Sequence, residues 1–299
     1  MNETLTAVSG LEVGHWTHQE AATGCTVVLC PPEGCVASGL ALGGAPATRE
    51  SSLLAPEKMM GRIDAVVLSG GSAFGLSAAD GVVRWLAEQG RGFETRAGPV
   101  PIVVGASIYD LEVGRAEVRP DARAGYAASQ AATSSPVVPG RIGAAAGASA
   151  GAYAGYDKAV PVGLGSHAVT FKGATVAALV VSNPAGDLYD PATGELLAGQ
   201  GLTASEIASC LTGYKPRTNT TLVVVATDAP LAKADAAALC ISAHVGVAQV
   251  THPSHTIFDG DMAYVLSTGR GPAIELGSLC VLVQEVVVKA IVKAARDKG

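Results

Sequence analysis

The chain has 299 residues, 48% hydrophobic and only 15% charged, with a net charge of −6. That acidic balance argues against a nucleic-acid partner, and no apolar run reaches the ~20 residues that cross a bilayer. Met1-Asn2-Glu3-Thr4 opens no basic-then-apolar leader, so a cytoplasmic protein without a membrane partner is expected. Few charges and 37 glycines predict close backbone packing and a surface partly buried in an oligomer.

In chain order, Thr26–Leu29 and Val36–Leu42 are short apolar runs on either side of Pro31-Pro32-Glu33-Gly34, the pattern of a hairpin. A glycine-rich loop, Gly43–Glu50, follows. Asp64–Ser69 reads as a buried strand that runs through Gly70-Gly71-Ser72-Ala73-Phe74-Gly75 into a helix from Leu76 to Glu88, ended by Gly90. Pro101–Ile108 is a further strand and Asp121–Ala132 an Ala-rich helix. Gly143–Gly155 is almost all Gly, Ala and Ser; between ordered elements it reads as backbone packed tightly around a site.

Ala168–Phe171 and Thr175–Ser182 form a hairpin about Lys172-Gly173, closed by Asn183-Pro184. Thr203–Leu211 is a helix with a capping box, Thr203 with Glu206. Lys215-Pro216 reads as an exposed loop. Thr221–Ala226 is a Val-rich strand, buried on both faces. Pro230–Val250 is a helix begun by its proline, Ala263–Leu266 a strand, and Ser278–Arg296 the closing helix. No composition break or repeat divides the chain, so residues 1–299 are expected to form one domain, a layered α/β sandwich.

The stretch Asn219-Thr220-Thr221 sets a polar, β-branched pair at the mouth of the Thr221 strand. Cleavage of the Asn219–Thr220 bond would free a rigidly held threonine carrying its own base, an α-amine with an ordinary pKa of about 7.7–8.0. The same residues also suit a plain turn into a strand. Asp259-Gly260-Asp261 sets two carboxylates two positions apart, on one face of extended backbone; they suit orienting a hydroxyl and an ammonium, or sharing a proton, and equally an Asp-Gly turn. Asn183, after a buried strand, is a candidate oxyanion donor or a turn starter.

Gly70–Gly75 fits neither a phosphate loop nor a dinucleotide fingerprint. It fails the G-x-S-x-G elbow because Phe74 stands at the last glycine, which leaves a helix N-terminus whose free N–H groups face a cleft. His252 and His255 flank Pro253 with no third ligand at zinc spacing, so no metal is expected. His15, His18, His167 and His244 read as structural or surface residues. The six cysteines form no C-x-x-C pair, sit in apolar segments and are expected to be buried free thiols.

Taken together, Val13–Thr17, Thr23–Leu29, Gly43–Glu50, Leu68–Leu76, Ile108–Leu111, Asn183–Gly186 and Asn219–Thr221 resemble the DmpA-type aminopeptidase family, which includes the nylon-oligomer endo-hydrolases. The resemblance runs over nearly the whole chain. It implies an αββα sandwich similar to ornithine acetyltransferase and a precursor that cuts itself into residues 1–219 and 220–299. It also implies Thr220 as the nucleophile acting on amide bonds, Asn183 as oxyanion donor and Asp259 with Asp261 as the supporting acidic pair.

Tyr109, with Gly71 and Ser72, falls in motifs that the resemblance assigns to the substrate cleft. The Thr nucleophile and the Asp pair match the nylon-oligomer branch, where the aminopeptidase branch has Ser, Ser and Glu. No cofactor is implied, and the expected partners are a small peptide or amide substrate and further copies of the chain, as a homotetramer of processed pairs. One departure stands out. Ala152 occupies the position of a family lysine that contacts the nucleophile, and Lys158 lies six residues on. That departure leaves open a weakly active or unprocessed binder or scaffold, and acyl transfer to an amine uses the same nucleophile.

Overall fold

A computed structural model describes residues 2–211 and 219–297; the expected loop at Lys215-Pro216 lies outside the described residues. In chain order the first strands are β1 Glu12–His18, β2 Thr23–Leu29, β3 Cys35–Ala41, β4 Thr48–Arg49, β5 Arg62–Ile63, β6 Ala65–Ser69 and β7 Val103–Ser107. Then come β8 Ser149–Ala150, β9 Val160–Pro161, β10 Leu164–Phe171, β11 Ala174–Val181, β12 Asp187–Tyr189 and β13 Leu196–Ala198. The last are β14 Leu222–Thr227, β15 Thr251–His252 and β16 Met262–Ser267. The helices are α1 Ala78–Glu88, α2 Ala122–Gln130, α3 Ala204–Cys210, α4 Lys233–Val250 and α5 Leu276–Arg296.

Two large sheets dominate. One has the order β1-β2-β6-β7-β4, the other β10-β11-β14-β16-β3-β5. Alternation along the first sheet explains the layers. Val28, Val66, Leu68 and Val104 point into a core shared with the second sheet, while Val27, Leu29, Ala65, Val67 and Val103 point the other way, onto Ala78, Val82 and Leu86 of α1 and Ala124 and Ala128 of α2. On the far side of the second sheet, α5 packs against β10 and β11 and α4 against β3 and β16. The result is the expected αββα sandwich. Because both faces of each sheet are covered, the central strands read as continuous apolar runs. No helix among the described residues is long and apolar enough to cross a membrane.

Several sequence expectations hold at their ends. The β10–β11 hairpin turns at Lys172-Gly173, Asp121 caps α2 through the Ala124 N–H at 3.0 Å, and Thr203 with Glu206 forms the capping box of α3. Others are corrected. β2 and β3 are not a hairpin: β2 pairs with β1 and β6 in one sheet, β3 with β16 and β5 in the other. Both edges of each strand are already taken, so the Pro31–Gly34 turn carries the chain between layers. Helix α1 starts at Ala78 after a 3₁₀ turn, Ser72–Ser77. Helix α4 starts at Lys233 rather than at Pro230, where the Asp235 carboxylate ties down the Ala232 N–H at 3.1 Å. Cys25, Cys30, Cys35 and Cys240 are buried, but Cys210 and Cys280 are only half-buried.

Helices α1 and α2 cross where Gly81 meets Ala122: a Cβ on Gly81 would lie 1.8 Å from the Ala122 carbonyl oxygen. Gly81→Ala should therefore destabilise the protein by ~1–3 kcal/mol through overpacking, against the ~1 kcal/mol gain that helix propensity alone gives. The urea midpoint decides the sign.

Candidate active site

Three neighbouring strands of the second sheet deliver the site to one edge. β14 runs parallel to β16, with Leu222 opposite Met262. The residues that lead into the two strands are therefore level, and Asn219 bridges Asp259. β11 runs antiparallel to β14, with Val181 opposite Leu222, so the chain leaving β11 arrives beside the chain entering β14. Asn183, Asn219, Thr220, Asp259 and Asp261 converge there, all buried. Tyr109 comes from the other sheet, two residues past β7.

The Asn219–Thr220 peptide is held at each polar atom. The Thr220 N–H donates to the Asn183 carbonyl at 2.8 Å, and the Asn219 carbonyl accepts the Gly260 N–H at 2.8 Å. The same carbonyl accepts the Thr220 hydroxyl at 2.6 Å. Only a glycine fits at 260, since a Cβ there would lie 2.7 Å from Thr220 Oγ1. The Asn183 side chain is locked in turn. Its Oδ1 accepts the Ser149 N–H at 3.0 Å and its Nδ2 donates to the Tyr109 carbonyl at 3.2 Å, which spends one of the two N–H bonds of that amide.

The carboxylates have separate partners. Asp259 Oδ2 accepts the Thr256 N–H at 2.9 Å and hydroxyl at 2.6 Å, and its Oδ1 accepts the Ala185 N–H at 3.4 Å. Asp261 Oδ1 accepts the Thr221 N–H at 2.6 Å, and its Oδ2 faces His255 Nδ1 at 2.7 Å. The two acids thus do not bond to each other, contrary to the shared-proton option. Their charges still interact: burial first, and then Asp261, push Asp259 from the ordinary 3.8 up to about 6.

The glycine-rich loop seals this turn from the other side. The Ala45 N–H donates to the Asp259 carbonyl at 2.9 Å and the Leu42 N–H to the Asp261 carbonyl at 3.1 Å.

The Gly70–Gly75 turn differs from expectation. Its leading N–H groups are not free: Gly70 donates to the Gly24 carbonyl and Ser72 to the Ile108 carbonyl, and Gly71 donates to Asp110 Oδ1 at 2.7 Å. These bonds tether the turn to the Tyr109 segment, through a buried Asp110 that also accepts the Thr23 hydroxyl at 2.7 Å. Ala152 is buried and Lys158 lies on the surface.

Sequence reasoning missed three contributors. Gly260 was visible only as a spacer between two acids. Tyr156, whose hydroxyl donates to Asn219 Oδ1 at 3.3 Å and whose ring lies 6.1 Å from that of Tyr109, gives no signal just after a small-residue stretch. His255 drew attention only through the unrelated zinc spacing. Thr220 is 3% exposed.

The model of peptidase family S58 matches residues 3–298. The chain belongs to peptidase family S58. Among its relatives in this family, an uncharacterized aminopeptidase of Mycobacterium tuberculosis (strain ATCC 25618 / H37Rv) is 41% identical over 289 residues, covering 89% of this chain and 81% of that protein. A 6-aminohexanoate-oligomer endohydrolase of Kocuria sp. (strain KY2) is 27% identical over 315 residues, covering 96% and 84%. Among solved structures, the L-aminopeptidase D-Ala-esterase/amidase of Ochrobactrum anthropi, described as a variant of the Ntn hydrolase fold, superposes with a TM-score of 0.74 at 19% identity, over 98% of this chain and 85% of that one. A Burkholderia sp. beta-aminopeptidase superposes with a TM-score of 0.73 at 22% identity, over 98% and 86%. The S58 chain thus has the Ntn hydrolase fold and belongs to a family of peptidases and amidohydrolases.

A raised Asp259 has a consequence for stability. The folded state holds its proton more tightly than the unfolded state. The stabilisation is therefore full below about pH 4 and is lost as pH rises through about 6. Asp259→Asn mimics the protonated form at every pH. The stability of the native chain relative to this variant should fall between pH 4 and pH 7, read from urea midpoints across that range.

Proposed function

We propose that the protein is a self-processing N-terminal threonine amidohydrolase. The observation that carries this reading is the convergence on the Asn219 carbonyl oxygen of the Thr220 hydroxyl at 2.6 Å and the Gly260 N–H at 2.8 Å. A nucleophile and an oxyanion donor flank one peptide bond at the head of a rigid buried strand.

In the first reaction Thr220 Oγ1 adds to the Asn219 carbonyl carbon, and the Gly260 N–H stabilises the developing oxyanion. The C–N bond breaks, the hydroxyl proton ends on the departing Thr220 nitrogen, and water hydrolyses the ester. Residues 1–219 and 220–299 result. The new α-amine stays hydrogen-bonded to the Asn183 carbonyl, beside its own hydroxyl, where it serves as general base.

In the second reaction the hydroxyl attacks a substrate amide, the remaining Asn183 Nδ2 hydrogen holds the oxyanion, and the amine passes its proton to the leaving group. Water then releases the acyl group. Asp259 and Asp261 set the charge around the nucleophile. Tyr109 and Tyr156 frame the approach, next to the Gly71-Ser72 turn. Peptides, in line with the relatives named aminopeptidases, and linear amide oligomers, in line with the 6-aminohexanoate-oligomer endohydrolase of Kocuria sp., are the substrate classes this reading favours.

Ile241 and Val245, one turn apart on α4, and Val281 on α5 are exposed apolar residues. They support assembly of processed pairs into a homo-oligomer.

Thr220→Ala should remain a single species near 29.8 kDa and hydrolyse nothing. Asn183→Ala should fold but lose ~10²–10³ in turnover of a peptide p-nitroanilide. Turnover by purified Thr220→Ala equal to that of the unaltered protein would contradict the proposal.

A further inference from the structure

The acidic pair has one cationic neighbour that the proposed mechanism leaves unused. His255 packs under Asp261 with its side chain 17% exposed and that of Asp261 3% exposed. Among the described residues no lysine or arginine lies within ion-pairing distance of either Asp259 or Asp261.

The ring's hydrogen-bond partners fix its protons. Nε2 faces the main-chain carbonyl of His244 at 3.2 Å. A carbonyl only accepts, so Nε2 carries a hydrogen. A neutral ring would then aim the bare lone pair of Nδ1 at Asp261 Oδ2, 2.7 Å away. Two lone pairs at that distance repel, so a second proton lies between ring and carboxylate.

The main-chain N–H of His255 also donates to Oδ2, at 3.2 Å, a second hold by this residue on the same oxygen. The other groups that act on the ring are Asp259, on the same turn, and His244, from α4. The two imidazoles meet edge to face at 4.8 Å. His244 donates from Nε2 to the Leu40 carbonyl at 2.8 Å, and burial lowers its pKa, which keeps it neutral. For His255 burial opposes the charge, but the hydrogen bond and charge of Asp261 outweigh it, and the net shift is upward.

We propose that His255 is a positioning residue of the active site: through the proton it shares with Asp261 it holds that carboxylate on the Thr221 N–H and supplies the positive charge that balances the acidic pair beside Thr220. The role deepens the N-terminal-threonine reading and rests on it. With the imidazolium in place, one of the two buried carboxylates is compensated and Asp259 is left to titrate near neutrality. Without it, Asp259 and the Thr220 amine hold their protons more tightly.

The test uses the full-length chain and two readouts. His255 has φ +55°, a conformation that asparagine tolerates well. In His255→Asn the amide Nδ2 stands where imidazole Nδ1 stood, so the bond to Asp261 is kept and the titrating proton is lost.

The first readout is the ¹⁵N resonances of the His255 ring in the Thr220→Ala chain, which does not depend on cleavage. Both nitrogens should be protonated at pH 7, and Asp261→Asn should bring the ring back to a single hydrogen. A ring with one hydrogen at pH 7 in the presence of Asp261 would overturn the proposal.

The second readout is the pH dependence of peptide p-nitroanilide turnover by the processed protein, whose acid limb reports the Thr220 amine. The acid limb of His255→Asn should move up by about one pH unit with turnover retained at high pH; profiles that superimpose would overturn the proposal. A parent chain that never cleaves would sink the threonine-hydrolase reading instead, and the ¹⁵N readout would still decide the dyad.

Discussion

The parallel pairing of β14 with β16 is the constraint on which the site depends. With Leu222 opposite Met262, the residues before each strand are forced level. The Gly260 N–H then reaches the Asn219 carbonyl in the same hydrogen-bond ladder that builds the sheet. A one-residue slip would exchange the faces of every side chain in the strand and carry Gly260 away from the bond at the strand head. The Val-rich interior of β14, buried throughout, makes that slip costly. Core packing and site geometry are thus one requirement, and the site needs no flexible loop to assemble its main-chain groups.

The site is also an electrostatic problem. Two carboxylates, a buried amide and a threonine share an edge closed off by the Gly43–Ala45 backbone. An uncompensated buried charge is expensive. Each acid is accordingly satisfied by hydrogen bonds, Asp259 from Thr256 and Ala185 and Asp261 from Thr221 and His255. The aliphatic Ala152 and the surface position of Lys158 leave the positive charge to His255. The rise of Asp259 to about 6 comes from burial first and then from the charge of Asp261, which hydrogen bonds do not cancel, and it leaves a carboxyl that changes charge near neutral pH close to Thr220.

Much of this was legible in the sequence because it lives in local patterns. The run from Leu222 to Ala226, the hairpin at Lys172-Gly173 and the capping box at Thr203 each follow from a few adjacent residues. Thr220, Asn183, Asp259 and Asp261, which the fold gathers at one edge, sit beside apolar strands, where polar side chains are conspicuous.

What was illegible was set by long-range pairing. Nothing local tells that β2 and β3 part into separate sheets, because a turn between two apolar runs looks the same whether the strands pair with each other or with others. The N–H groups at Gly70–Ser72 looked free because their acceptors, on Gly24, Ile108 and Asp110, come from elsewhere in the chain. His255 escaped notice because its meaning lies in a ring nitrogen placed against a carboxylate six residues on, which spacing alone does not convey.

The covalent state of the purified protein tests self-processing most directly. N-terminal sequencing with intact mass should find two chains, and the smaller should begin Thr220-Thr221-Leu222 and end at Gly299. A single chain near 29.8 kDa that persists on prolonged incubation across the neutral pH range would contradict it.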